Sequence, residues 1–531
     1  GYTCMKVVTK QLGDYFKLPN QGLRTYFDHV RDGQSDEYRT PFYGKDTPLK
    51  DILDGWSATL NSIEDQWPTL LEFENDLRAK VGPMSIMLPL KDRMKDIEHY
   101  YEDILLSSKP IDSRAEQLVA QEFGLRSIRV KSKPNVLLDM KKSTNSGSPF
   151  FTKRKNVVNQ TMPANVRFVN DDTIIQNLNG HEWLSCAVVG WRGQEGGPEF
   201  DDVKQRVVWM FPFAININEL QVYQPLISSS QRRGTVPAWV SMDAVDYRIT
   251  KMFDTKGRDD LVICTDFSKF DQHFGSDMQN SARNILSNLL TPGEASESWM
   301  REIFPIKYSI PLAIQMDQLI TGQHGMASGS GGTNADETLV HRALQYEAAL
   351  TSKTVLNPYS QCLGDDGVIT FPNITVDKVV QSYSAHGQEM NTDKQYASKH
   401  DCTYLRRWHH NDYRVNGICV GVYSTYRALG RLAEQERFYD PDKWSKEMVA
   451  LRQLSIIENC KWHPLREKFA DYCMKGDKYR LGIDIPGFLD DIEAIAQEAT
   501  DLLPDFLGYT KSMQIERSSS PAKGISNWWI V

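Results

Sequence analysis

Gln361-Cys-Leu-Gly-Asp-Asp-Gly-Val-Ile-Thr-Phe371 sets two adjacent carboxylates, Asp365 and Asp366, between two short apolar runs. Acids held side by side repel one another unless a cation neutralises them. An Asp-Gly step between apolar runs is also the commonest hairpin signature. Taken alone, the stretch therefore reads first as a turn. Its surroundings decide whether it is also a site.

Working outward, residues 261–267 (Leu-Val-Ile-Cys-Thr-Asp-Phe) form an apolar run that suits a buried strand ending at Asp266, with Asp271 five positions on. A helix follows, with Ser276 as a candidate cap and Met278, Ala282, Ile285, Leu286 and Leu289 on one face. The flexible loop Ser328-Gly-Ser-Gly-Gly-Thr333 then leads into a helix predicted from Asn334 to Leu350. Its backbone can approach a ribose-phosphate chain closely. It lacks the Gly-Lys-[Ser/Thr] ending of a P-loop. Beyond the Gly364-Asp-Asp hairpin, a helix through Val376, Val379, Val380 and Tyr383 stops near Gly387. A second hairpin is predicted between residues 402–408 and 417–423, turning at Val415-Asn416-Gly417. Residues 1–125 read as mixed and largely helical, and residues 428–510 as helical. This order implies an α+β fold with a small antiparallel sheet backed by helices. Carboxylates from Asp266, Asp365 and Asp366 that converge from two strands can bind two Mg²⁺ ions. Such a pair clamps the attacking and leaving oxygens of a phosphoryl displacement. Upstream, Lys204 and Arg206 stand two apart at a strand start, where they could meet a triphosphate, although such pairs are more often plain surface.

The net charge of −8 does not favour a nucleic-acid binder until its distribution is read. Residues 126–155 hold nine basic side chains against one acid, Asp139, whereas residues 484–505 hold seven acids and no base. Basic surface, the usual footprint of phosphate contact, is thus confined to one region. The eight cysteines are scattered without a Cys-x-x-Cys pair, which argues against a disulfide framework or a zinc site and for buried small hydrophobes. No window approaches the apolar length of a membrane helix, and the first residues carry no secretory pattern.

Asp266-x-x-x-x-Asp271, Ser328-Gly-x-x-x-Thr333 and Gly364-Asp-Asp366, in that order, resemble motifs A, B and C of the palm of viral RNA-dependent RNA polymerases. The separation of 99 residues between Asp266 and Asp365 suits that family. Thr144-Asn-Ser-Gly-Ser-Pro149 resembles motif G, along the template path, and Lys204-Gln-Arg206 the core of motif F. The helix ending at Gly387 with Lys394 beyond it resembles motif D, and Tyr404-Leu-Arg-Arg407 motif E. Wording and length look most like picobirnavirus polymerases, with partitivirus polymerases as near neighbours. The resemblance covers roughly residues 140–425 and implies a right hand of fingers, palm and thumb. It implies two Mg²⁺ or Mn²⁺ ions on Asp266, Asp365 and Asp366, with Lys394 as the acid for pyrophosphate and Lys399 as its rival. It assigns the nucleotide to Lys204, Arg206, Asp271, Ser328, Thr333 and Asn334, and RNA to Thr144, Ser146, Gly147, Tyr404, Arg406 and Arg407. One departure stands out: many relatives carry an Asn four places after the motif B threonine to help read the ribose, and here that place is Glu337.

The domains implied are an N-terminal extension and fingertips (1–125), fingers with the basic template-path segment (126–250), a palm with a fingers insertion (251–425), and a thumb with a C-terminal tail (426–531). The implied partners are a single-stranded RNA template, a double-stranded RNA product, ribonucleoside triphosphates and a viral capsid protein. A monomer, without membrane association, is expected in the particle interior and the host cytoplasm. Two rival readings are a reverse transcriptase, which would be expected to put a bulky side chain in place of Asp271, and a non-catalytic capsid-associated RNA-binding protein. The apolar end Trp528-Trp-Ile-Val531 is expected to fold back, either obstructing the RNA channel or packing on the thumb or a partner.

Overall fold

In the computed structural model, which describes residues 5–502 and 525–531, strand and helix alternate around one small sheet. That sheet has four strands in the spatial order Gln361–Leu363, Asp366–Ile369, Val262–Thr265 and Tyr396–Ser398, and every pairing is antiparallel. Val262, Ile263, Val368 and Ile369 are fully buried, because helices cover the sheet. The helix Thr333–Thr351 runs behind it, with Leu339, Val340, Ala343 and Leu344 inside. Gln345 Nε2 donates to the carbonyls of Gln361 and Val368, tying that helix to the sheet.

Three local expectations are revised. The tight turn of the first hairpin is Gly364-Asp365, with Gly364 at φ +57°, and Asp366 already opens the returning strand opposite Leu363. The turn needs a glycine at its first position because φ is positive there. The second hairpin pairs Asp401–Tyr404 with Arg407–His410 and turns at Leu405 and Arg406, both at positive φ. Asn416-Gly417 closes a smaller bridge between Val415 and Ile418. Ser276 is the first residue of its helix rather than its cap, a position taken by Gly275.

A five-stranded sheet in the order Lys6–Thr9, Gln318–Thr321, Leu312–Gln315, Ala187–Gln194 and Lys204–Met210 lies beside the helix Phe213–Arg233. These elements share one large apolar core with the small sheet's helices. A second core joins residues 42–81 to the helices after residue 424. Trp56 Nε1 donates to Thr425 Oγ1 (2.8 Å), and Trp408 Nε1 to Thr69 Oγ1 (3.0 Å). The N-terminal helices are therefore partners of the C-terminal ones. Ile525 and the Trp528-Trp529-Ile530 end pack on this same core, while residues 503–524 of the tail lie outside the described residues. Among the described residues seven cysteines are buried and free, and no helix is long and apolar enough to cross a membrane.

Candidate active site

Asp266 lies one residue past its strand. Gly367 pairs with Thr265, so the next step along the ladder sets Asp266 against Asp366. Gln395 fixes Asp266 through both backbone groups: Asp266 N donates to Gln395 Oε1 (2.7 Å), and Gln395 Nε2 donates to the Asp266 carbonyl (2.9 Å). The acidic hairpin is held from behind by the helix Thr333–Thr351. Gly364 N donates to Thr338 Oγ1 (2.9 Å) and its carbonyl accepts from His341 Nδ1 (2.8 Å). Burial lowers His341 to about 4, which keeps the ring neutral and able to serve that role.

The carboxylates carry the electrostatic mark of uncompensated charge. Desolvation, then Asp365, raises Asp366 to about 7. Desolvation and Asp271 raise Asp365, although its own surface faces the open cleft. Desolvation also raises Asp266, against the opposing pull of Lys80, Lys394 and Lys204. Asp366 is turned toward the second hairpin, its Oδ2 accepting from Leu405 N (2.8 Å). Among the described residues no three acidic, histidine or cysteine side chains are gathered closely enough to hold a metal ion as they stand. The expected three-way convergence is thus two exposed acids, Asp266 and Asp365, with Asp366 engaged by the neighbouring turn. The donor set still suits a hard divalent ion in kind, being all carboxylate oxygen with raised pKa that a cation would bring down.

Above these acids, Arg206 Nη2 meets Asp271 Oδ2 at 3.2 Å. Asp271 is the first cause of the raised Arg206 pKa, with Glu337 and Asp365 adding to it. Glu337 is buried at 4% exposure, and its pKa stands well above the ordinary value, through desolvation and then Asp271. A hydrogen bond with Asp271 adds to that rise, so burial and Asp271 together favour the protonated form of Glu337. Asn334 is used differently, its Oδ1 accepting from Trp239 Nε1 (2.9 Å).

The glycine loop is seated by what its residues lack. A Cβ on Gly329 would overlap the carbonyl oxygen of Trp209, and one on Gly332 would overlap the Tyr223 ring. Ser328 Oγ donates to the Val207 carbonyl (3.1 Å) and Thr333 Oγ1 to that of Ala327 (2.7 Å). These two hydroxyls shape the loop. Just beyond, buried Asp336 accepts from Tyr223 and Tyr308 hydroxyls (both 2.7 Å) and pairs with Lys307 (3.0 Å).

The remaining predicted residues divide by exposure. Lys204, Lys394 and Arg406 face solvent, and Arg406 acts on both Asp365 and Asp366. Tyr404 is buried at 1% exposure. Arg407 forms a two-point pair with Asp246 (2.9 Å each) and so braces the hairpin. Ser146 and Gly147 are buried, and Ser146 Oγ accepts from Thr152 N (3.1 Å), whereas Thr144 is half-buried. Lys399 pairs with Asp259 at 3.6 Å. Sequence reasoning missed Lys80, Gln395 and His341. Gln395 adjoins Lys394 and offered a local signal, but the other two reach the site only through the fold.

A family model described as viral RNA-dependent RNA polymerase matches residues 122–417. The chain belongs to the viral RNA-dependent RNA polymerases, enzymes that are nucleotidyltransferases. It is 60% identical, over 99% of both chains, to the potential RNA-dependent RNA polymerase of a human picobirnavirus (strain Human/Thailand/Hy005102/-). The crystal structure of a human picobirnavirus RNA-dependent RNA polymerase matches 98% of this chain and 97% of its own, with a TM-score of 0.93 and 60% identity. The insertion-loop deletion mutant of a human picobirnavirus polymerase matches over the same shares, with a TM-score of 0.91 and 59% identity.

Proposed function

We propose that this polymerase copies RNA by a two-metal ribonucleotidyl transfer centred on Asp266 and Asp365, and that it serves replication and transcription of a double-stranded RNA genome. The observation that carries the reading is the antiparallel pair that sets the end of the strand Val262–Thr265 beside the Gly364-Asp365 turn. Asp266 and Asp365 would hold divalent ions, Mg²⁺ or Mn²⁺, with Asp366 in support. Such ions lower the pKa of an attacking hydroxyl and neutralise a leaving pyrophosphate.

Everything else is the work of the chain's own groups. Arg206 and Lys204 attract the triphosphate, so an arriving nucleotide takes Arg206 away from Asp271 and frees that carboxylate to accept the ribose 2′-hydroxyl. Glu337, being neutral, donates to Asp271 and holds it in place, as the amide of an Asn would. Lys394 stands in the field of Asp266 as the proton donor to pyrophosphate. Arg406 and the basic stretch 126–155 guide the RNA strands. The protein acts as a monomer, with a capsid protein as partner inside the particle and in the host cytoplasm.

The test uses purified protein, single-stranded RNA, four ribonucleotides and Mg²⁺ or Mn²⁺. Complementary RNA is expected, and chelation is expected to stop synthesis until either ion is restored. Asp365→Asn should abolish synthesis while RNA binding survives. Synthesis that persists in that variant would falsify the metal assignment, and equal use of deoxynucleotides would favour the reverse-transcriptase reading.

A further inference from the structure

The transfer chemistry leaves unused a buried chain of hydrogen bonds that runs from the basic template-path segment to the glycine loop. Arg154 donates through Nη1 to the Lys141 carbonyl (2.9 Å) and through Nη2 to Asn216 Oδ1 (2.7 Å). Its guanidinium also lies over the Phe213 ring. Asn216 passes the contact on, with Nδ2 donating to Glu219 Oε1 (3.0 Å). Glu219 Oε1 accepts from Gly331 N (3.0 Å), and Glu219 Oε2 accepts from Ser330 Oγ. Ser330 Oγ in turn accepts from Gly332 N (3.0 Å). Asn216 and Glu219 stand three apart on the helix Phe213–Arg233, which puts them on one face. They are 5% and 1% exposed. The start of the same helix grips the template-path loop directly, as Phe213 N donates to the Ser146 carbonyl (2.9 Å).

A loop with Gly329, Gly331 and Gly332 has many conformations open to it, and fixing each residue costs conformational entropy. On one side the loop is stopped by the Trp209 carbonyl and the Tyr223 ring, which leave no room beyond a hydrogen at Gly329 and Gly332. Glu219 supplies the hold elsewhere, through Ser330 and Gly331. A buried carboxylate is costly unless its lone pairs are used, and the loop supplies two of the three donors. Loop seat and carboxylate are thus mutually dependent. Because Asn216 shares that carboxylate and also holds Arg154, a shift of residues 141–154 acts on the group that seats the loop.

We propose that Asn216 and Glu219 are positioning residues through which RNA on the template-path segment sets the seat of Ser328–Gly332, and with it the affinity for the nucleotide. The proposal rests on reading the first segment as template contact and the second as nucleotide contact. Coupling of this kind is reciprocal, so nucleotide tightens template by the same factor.

The experiment measures nucleotide Kd by equilibrium binding, with and without template RNA, in the wild type, Asn216→Leu and Glu219→Gln. RNA should tighten nucleotide binding by about tenfold in the wild type. Asn216→Leu should cut that factor to within about twofold, raising KM while kcat at saturating nucleotide stays nearly constant. Glu219→Gln, which keeps an acceptor for Gly331, should retain part of the coupling. Full coupling in folded Asn216→Leu overturns the proposal, as does a fall in kcat with KM unchanged, the pattern of a merely structural role. Should either variant fail to fold by circular dichroism, Arg154→Met breaks the relay at its half-buried end and is judged by the same loss of coupling, measured at RNA concentrations that saturate the variant. A wild type whose nucleotide affinity ignores RNA overturns the relay alone, whereas a wild type that makes no RNA overturns the transfer mechanism beneath it.

Discussion

Two buried glutamates, one in each half of the hand, show what the same device does in different company. In the half that carries the acids, Glu219 holds a glycine loop. In the other half, Glu74 holds the start of the helix Thr425–Ala433. It accepts from Thr425 N (3.0 Å), Tyr426 N (3.4 Å) and the hydroxyls of Ser424 and Thr425, and His463 Nε2 lies 3.2 Å away. The first turn of a helix has amides with no partner of their own, so Glu74 completes an element that already has one shape. The Ser328–Gly332 loop has no such shape without its clamp. A clamp on a helix end contributes stability, and a clamp on a flexible loop contributes position.

The largest effect that tests this contrast is expected at Glu74. Glu74→Ala strands several buried donors between the N-terminal helices and the C-terminal ones. It should cost about 3–5 kcal/mol by urea unfolding. Nucleotide KM of the fraction that remains folded should not move. A raised KM with normal stability would reverse the assignment of the two glutamates.

Glycine-to-alanine pairs sharpen the contrast at the next level. Gly329→Ala forces a methyl into the Trp209 backbone carbonyl, which cannot yield without moving the strand Lys204–Met210. Overpacking of that kind costs about 1–3 kcal/mol, and the strand carries Lys204 and Arg206, so KM should rise with it. Gly430 lies inside the helix Thr425–Ala433, where an added methyl meets Val81 Cγ1 at 2.7 Å, a buried side-chain methyl rather than backbone. The gain in helix propensity of roughly 0.5–1 kcal/mol offsets part of that contact. Gly430→Ala should therefore cost less stability than Gly329→Ala and leave KM nearly unchanged. Equal losses at the two positions would show that the clefts do not differ in tolerance.

A smaller effect is expected at Glu337. A carboxyl group whose pKa burial and Asp271 hold well above the ordinary range is mimicked by an amide, so Glu337→Gln should keep ribonucleotide kcat/KM within about threefold across neutral pH. Glu337→Lys should lose it. A large loss in the Gln variant would mean that Glu337 works as an anion.

The sequence made the acidic half far more legible than the clamps. Asp266, Asp365 and the glycine loop were readable because each sits on a local pattern: an apolar run ending in an acid, a Gly-led turn, a run of small residues before a helix. Their mutual placement follows from strand pairing. The second hairpin was misjudged because Leu405 and Arg406 adopt positive φ without the Gly or Asn that advertises such a turn, while Asn416-Gly417 does advertise one. Arg407 read as an RNA contact because its partner, Asp246, lies 161 positions away. Glu219 and Glu74 were invisible for the same reason: two of the three donors to Glu219, and the donors to Glu74, lie more than a hundred residues further along. A buried carboxylate leaves no local pattern, since its meaning lies in what arrives from elsewhere.

The gentlest test concerns a third carboxylate, Glu458, which like Glu74 receives backbone amides from a distant segment, here Trp529 and Ile530. Unlike Glu74 it is only half-buried, and desolvation raises its pKa to about 7 in the folded protein. The unfolded value is near 4.3. Between those values the folded chain binds the extra proton, so this group's contribution to stability falls as pH rises from about 4.3 to about 7 and is level outside that window. That is the reverse of a salt-bridged carboxylate, whose contribution grows as pH rises through its depressed folded pKa and is complete above about 4.3. Glu458→Gln keeps an acceptor for the two amides and removes the titration. Unfolding of both proteins at pH 5 and pH 8 should show the wild type losing more stability than the variant across that interval. Identical losses would mean that the tail amides already compensate the charge, making Glu458 a clamp of the Glu74 kind.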